Sequence, residues 1–182
     1  MTEEQRSREN GQIMIEAIVA ISMVTIGLLG IITLLINSSR WNRDVSHELV
    51  ATYLAAEGIE VMKNLIDASI ASELRGDNMA TWNAGLPEGL YGIQYDAAFG
   101  SDGMLSQNFG DRKLLFDSGA GVYQYGSGET SPFSRVVEII GPRGGSDTLL
   151  VSSTVFWDGE ESVESVHLED VFTYWRKTGG AD

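Results

Sequence analysis

Gly11-Gln12-Ile13-Met14-Ile15-Glu16, followed by twenty uncharged and mostly apolar residues from Ala17 to Ile36, is the stretch that organises this chain. A run of that length crosses a hydrocarbon layer of roughly 30 Å as a helix rising about 1.5 Å per residue. Before it lie eleven residues, polar but for Met1 and ending in Gly11; Glu16 places a carboxylate at its edge. A secretory signal peptide has its cleavage site after a shorter apolar stretch, whereas the breakable glycine here precedes the run, so the apolar segment would survive processing. An ordinary signal anchor, with Glu16 in the headgroup zone, is the competing reading of residues 1–36. Arg6 and Arg8 on one flank are balanced by Arg40 and Arg43 on the other, so loop charge alone does not orient the segment.

Downstream of the run, Asp44 to Leu74 contains no proline, and apolar side chains recur at Val45, Leu49, Tyr53, Ala56, Ile59, Met62, Ile66 and Ile70. That spacing predicts a helix continuing from the membrane into a head, with a stripe that a sheet or a partner helix would cover. Asn37-Ser38-Ser39 marks the exit from lipid. Gly27 and Gly30 each cost about 1 kcal/mol relative to alanine in a helix interior, which fits either a bend or a small-residue packing face.

Helical signal ends at Arg75-Gly76-Asp77-Asn78, and the stretch to Gly128 is rich in glycine, asparagine, aspartate and serine, predicting a loop-dominated connection with two small strands. Ser134 to Ile140, Thr148 to Trp157 and Val163 to Trp175 are rich in valine, isoleucine, threonine and aromatics and predict three antiparallel strands. Gly141-Pro142-Arg143-Gly144-Gly145 supplies the first turn, and Asp158-Gly159 with Glu160 and Glu161 begins the second. The expected fold is α+β: a long N-terminal helix, half in the membrane and half amphipathic, packed on a C-terminal antiparallel sheet. Its divisions are a leader at 1–11, a transmembrane and assembly helix at 12–36, an amphipathic helix at 37–75 and a globular head at 76–182.

Composition bounds the function. Subtracting leader and apolar run from 182 residues leaves roughly 146, enough for one domain with a core. The formal net charge is −14; the leader holds Glu3, Glu4 and Glu9 against Arg6 and Arg8, a net −1, so −13 remains beyond it, a surface that repels nucleic acid. With no cysteine, disulfides and thiolate metal sites are excluded. His47 and His167 are the only histidines, so a metal site would be mainly carboxylate, and a Ser-His-Asp site must use one of these two. His47 is expected on the helix just above the membrane, and His167, near Glu169 and Asp170, on a solvated strand face. Acidic loops around Asp96, Asp102 and Asp111 offer oxygen ligands for calcium without the dense alternation of an EF-hand. Gly119-x-Gly121 followed by Gly126 has no long helix after it, so a phosphate loop is rejected. Trp82, Tyr91, Tyr95, Phe99, Phe109, Tyr123 and Tyr125 either cover the sheet or line a ligand groove. No catalytic residues, cofactor or metal are expected, and the chain is not expected to be an enzyme.

The N-terminal arrangement resembles a type IV prepilin: a short polar leader, a glycine, and an apolar helix with glutamate five residues beyond that glycine. The resemblance implies that a membrane prepilin peptidase cuts after Gly11, that Gln12 becomes the new N-terminus, and that Glu16 is the assembly glutamate. Gln12 stands where the family usually carries phenylalanine; methylation is the family's modification, and cyclisation is open to a terminal glutamine. Many pilins close a C-terminal loop with a disulfide, which this chain cannot form. Three further pieces resemble minor pilins of the PilV kind: Leu54-Ala55-Ala56-Glu57-Gly58-Ile59-Glu60, Val155-Phe156-Trp157-Asp158, and Val166 to Trp175 ending Thr173-Tyr174-Trp175-Arg176. Residues 76–132 carry no such likeness.

The implied function is that of a minor pilin, a structural subunit of a surface fibre or fimbrium. In lipid a charged Gln12 amine and a Glu16 carboxylate are each costly alone, so pairing one subunit's amine with its neighbour's carboxylate would select insertion in register. The expected partners are other pilin subunits, the prepilin peptidase, an inner-membrane assembly platform with a separate ATPase, and lipid before assembly, with no direct nucleic acid. The chain would reside in the cytoplasmic membrane as a single-pass precursor and then in an extracellular pilus or a periplasmic pseudopilus. A minor pseudopilin of a type II secretion-like system and a membrane-anchored binding module are the alternatives.

Overall fold

A computed structural model describes residues 3–76, 82, 86–97, 112–141, 147–159 and 162–174, with side chains from residue 11 onward. The chain divides into two compact units, Met1–Val45 and Ser46–Asp182. Helix α1, Glu3–Leu74, supplies all that is described of the first unit and opens the second. The helix begins at Glu3, ahead of Gly11.

In the first unit every large apolar side chain from Ile13 to Ile36 is between 47% and 71% exposed. The segment is long and apolar enough to cross a membrane. The only polar side chains between Ala17 and Ile36 are Ser22, Thr25 and Thr33, and each hydroxyl donates to the carbonyl four residues back, at 2.7, 2.8 and 2.9 Å. No side-chain donor in that span is left to desolvate unpaired. The helix runs unbroken through Gly27 and Gly30, and nothing lies within 4 Å of a Cβ added at either.

The second unit packs the Ser46–Leu74 part of α1 on a six-stranded, wholly antiparallel sheet, the expected α+β arrangement. Its strands are β1 Gly89–Tyr91, β2 Lys113–Asp117, β3 Val122–Gln124, β4 Glu129–Ile140, β5 Thr148–Asp158 and β6 Val163–Thr173. The order is β3-β2-β4-β5-β6, with β1 paired to the far end of β4. The three C-terminal strands match the sequence expectation closely, and the described residues of the glycine-rich connection hold three short strands, β1, β2 and β3, where two were expected. β4 starts five residues earlier than expected because it carries Pro132 through an irregularity. Register with β2 shifts between Lys113↔Ser134 and Leu115↔Thr130, leaving residues 131–133 opposite Leu114 alone. A bulge is where a strand tolerates a residue without an N–H. The turn at 142–146 and Glu160 and Glu161 lie outside the described residues.

The covered face of α1 is rotated from the expected stripe. Met62 and Ile66 are buried and Ile59 and Ile70 half-buried as predicted, but Val45 (63%), Leu49 (56%), Tyr53 (70%) and Ala56 are exposed. In their place Ala51, Leu54, Ala55, Gly58, Val61, Leu65 and Ser69 face the sheet. Close approach decides this. Ala51, Ala55 and Gly58 present almost no side chain, so backbone and strand come together over them, which bulky Leu49 and Tyr53 would prevent.

Two clusters make the core. Ala51, Leu54 and Ala55 pack with Leu114, Tyr125, Phe133, Val155 and Trp157. Val61, Met62, Leu65 and Ile66 pack with Trp82, Leu86, Tyr91, Ile93, Val137, Ile139, Leu149 and Val151.

Candidate functional site

Gly11, Gln12 and Glu16 all lie on α1 and are exposed. Gln12 and Glu16 are four residues apart and so occupy one face of the helix. A Cβ added at Gly11 would meet nothing within 4 Å, so the peptide bond that follows is sterically open. That bond is nevertheless helical, and a peptidase acting there would require the first turns to unwind, which glycine makes easier by about 1 kcal/mol relative to alanine. Among the side chains of the 11–36 segment Glu16 is the sole ionisable group.

The head has its own polar centre, which inspection of the sequence missed. Arg135 on β4 is fully buried. One of its terminal nitrogens donates to both the Glu57 carboxylate and the Leu54 carbonyl, each at 2.9 Å, and the other donates to the Ile93 carbonyl. Arg135 therefore joins α1, β4 and the segment after β1 at one point. The Arg135 carbonyl in turn accepts the Tyr125 hydroxyl at 3.2 Å. Burial pushes the Tyr125 phenol above its ordinary value, and the neighbouring Arg135 guanidinium opposes that shift. At the residue after Glu57, a Cβ on Gly58 would fall 2.4 Å from Ser153 Oγ and 3.2 Å from Val137 Cγ2, a crowding that glycine avoids. A signal existed in the inward parity of β4, where Ser131, Phe133, Arg135, Val137 and Ile139 place one arginine among apolar neighbours.

The remaining candidates separate. His47 sits half-buried on α1, edge-on to Phe133 at 5.7 Å between centroids. His167 lies on the face of β6 away from α1, 2.9 Å from Thr154 Oγ1 through Nδ1 and 3.8 Å from Glu169 through Nε2. The longer distance is beyond a hydrogen bond, and both His167 and Glu169 are 53% exposed, so this trio is a solvated strand face. Asp96 accepts a hydrogen bond from Gln94 at 2.8 Å, Asp102 and Asp111 lie outside the described residues, and no acidic or histidine cluster fit to hold a metal occurs among the described residues. Gly119 and Gly121 form the β2–β3 turn: Asp117 Oδ1 accepts from the Gly119 and Ala120 amides, and Gly121 adopts φ +70°. The aromatics mainly cover: Tyr91 and Tyr125 are buried, Tyr123 is half-buried, and Trp82 stacks on Tyr174 at 5.6 Å. Tyr95 is 43% exposed, and Phe99 and Phe109 lie outside the described residues.

No family model matches this chain, nor does any curated protein or solved structure. The coarse result is a helix compatible with a single-pass membrane anchor, joined in sequence to an α+β head.

Proposed function

We propose that this chain is a minor pilin subunit of a type IV pilus, processed between Gly11 and Gln12 and assembled through its N-terminal helix into a surface fibre. The observation that carries the reading is the junction itself. Gly11 and Glu16 stand at the head of a helix whose large apolar side chains are exposed among the described residues, while the head has a packed core of its own. Such a helix is stable in lipid or among like helices, and packing against neighbours exchanges one for the other. The Gln12 amine freed by cleavage and the Glu16 carboxylate of an adjoining subunit would neutralise each other in that packing. Methylation or cyclisation of Gln12 would alter the amine without moving it.

Mass spectrometry of the N-terminal peptide, comparing sheared surface material with membranes, tests this reading. A chain beginning at Gln12 in the sheared fraction is expected, together with the chemical state of that terminus. An intact leader confined to membranes would replace the fibre subunit with an anchored binding module. Glu16→Ala should leave the protein in membranes, its head stability unchanged, and remove it from sheared fibres; incorporation equal to wild type would refute the pairing.

A further inference from the structure

We propose that the free edge of β6 is a docking strand for an extended, basic segment of a different protein. It rests in part on the fibre-subunit reading, as marked below. Among the described residues β6 ends the sheet and pairs only with β5, in an unbroken antiparallel register from Asp158↔Val163 to Thr148↔Thr173. The flanking backbone bonds fix which groups are free. Tyr174 donates to the Asp147 carbonyl, and Gly159 donates to the Ser162 carbonyl, so even-numbered residues of this strand exchange bonds with β5. By the period of two, the amides and carbonyls of Ser165, His167, Glu169 and Val171 face outward from the edge. The Val171 amide agrees, since it donates to the Asp170 side chain at 2.8 Å rather than to β5. Eleven residues make this a long open edge.

Side chains state what the edge accepts. On the α1 side Val166, Leu168 and Phe172 pack against the two core clusters but stay only half-covered. An added strand with apolar residues on that side would complete the cover. Glu164 and Asp170 flank these positions and Glu169 lies on the opposite face, all exposed, so the complementary strand carries Lys or Arg beside them.

A second copy of this chain fits poorly. Val166 and Leu168 join the cluster of Leu54 and Ala55, and Phe172 joins that of Met62 and Ile66, so α1 and β6 run in the same direction. Antiparallel pairing of two β6 strands would reverse one α1 against the other, which two chains anchored in one membrane cannot do; this step rests on the proposed function. Parallel two-fold pairing needs an axis along the strand, which sets each residue level with its own equivalent on the opposite face, so the pleats of the two strands do not match. The chain's net charge of −14 points the same way.

The test uses the full chain in detergent micelles and two synthetic peptides of alternating Val and Thr, one bearing Lys on both faces and the other bearing Glu at the same positions. Hydrogen exchange should show protection of the Ser165, His167 and Glu169 amides by the Lys peptide, which should bind roughly tenfold more tightly than the Glu peptide. Glu169→Lys with Asp170→Lys should invert the preference. Glu169→Pro should abolish docking while amides bonded between β5 and β6 stay protected, because it removes an outward donor. Absence of β6 protection, or Lys-peptide binding unchanged by the charge reversal, would overturn the proposal. Processing at Gly11 is read separately, so docking without cleavage would remove the fibre reading and keep the edge, and cleavage without docking would do the reverse.

Discussion

The two parts of α1 solve the same problem by different means. From Ala17 to Ile36 the helix is apolar on all sides, and its side chains are exposed in the isolated chain. From Ser46 to Leu74 it is amphipathic, and one face closes the core. Each half has glycines, yet Gly27 and Gly30 face open space while Gly58 sits where a Cβ would strike Ser153. The comparison teaches that the sheet covers one face of the second part, whereas the large apolar side chains of the first are exposed among the described residues. Substitutions should therefore divide cleanly: those in the head change unfolding, and those before it change location or assembly.

The largest effect on unfolding should come from Arg135. Arg135→Ala leaves the Leu54 and Ile93 carbonyls and part of Glu57 without their donor and opens a void, for a loss of about 3 kcal/mol, since breaking a buried pair costs more than the pair contributes. Arg135→Met keeps most of the volume and should lose less. Denaturant unfolding of the detergent-solubilised chain, followed by tryptophan fluorescence, measures both. Equal losses would mean that packing, not the polar contacts, holds this point, and a loss in membrane retention would break the division between the two parts.

The next effect sharpens the comparison within the helix. Leu54 is 3% exposed and Leu49 is 56% exposed, though both are leucines little more than a turn apart. Leu54→Ala should cost about 2–4 kcal/mol and Leu49→Ala less than about 0.5 kcal/mol in the same unfolding experiment. Comparable losses would return the covered face to the stripe expected from the sequence.

That stripe shows where sequence reading reached its limit. The three C-terminal strands were legible because alternation and β-branched residues agree with one another between clear turns. The helix was legible as a helix, but periodicity alone could not set its phase. Val45, Leu49 and Tyr53 form as good an apolar row as Leu54, Val61 and Leu65, and only the sheet's close approach over Ala51, Ala55 and Gly58 selects between them. Arg135 showed only as one arginine on the inward parity of β4, because its partners, the Glu57 carboxylate and main-chain carbonyls at Leu54 and Ile93, are announced by no residue pattern. Gly11, Gln12 and Glu16 were readable as a local spacing, and the structure adds to it only that all three lie exposed on α1. Outward parity of the β6 edge needed the register with β5.

The smallest effects belong to Gly58 and Ser153, where two opposing terms can be separated. Gly58→Ala gains about 1 kcal/mol of helix propensity but forces a Cβ onto Ser153 and Val137, an overpacking cost of about 1–3 kcal/mol, so a net loss of about 1 kcal/mol is expected. Among the described residues the buried Ser153 Oγ has no hydrogen-bond partner, so Ser153→Ala should be neutral or slightly stabilising. In the double variant the closest clash, at 2.4 Å from Ser153 Oγ, disappears, while the 3.2 Å approaches to Ser153 Cβ and Val137 Cγ2 remain. Its loss should therefore be smaller than that of Gly58→Ala alone, a favourable coupling readable from a double-mutant cycle. Strict additivity would place the obstacle at Ser153 Cβ and Val137 Cγ2, and the hydroxyl would then have no part in requiring glycine at this position.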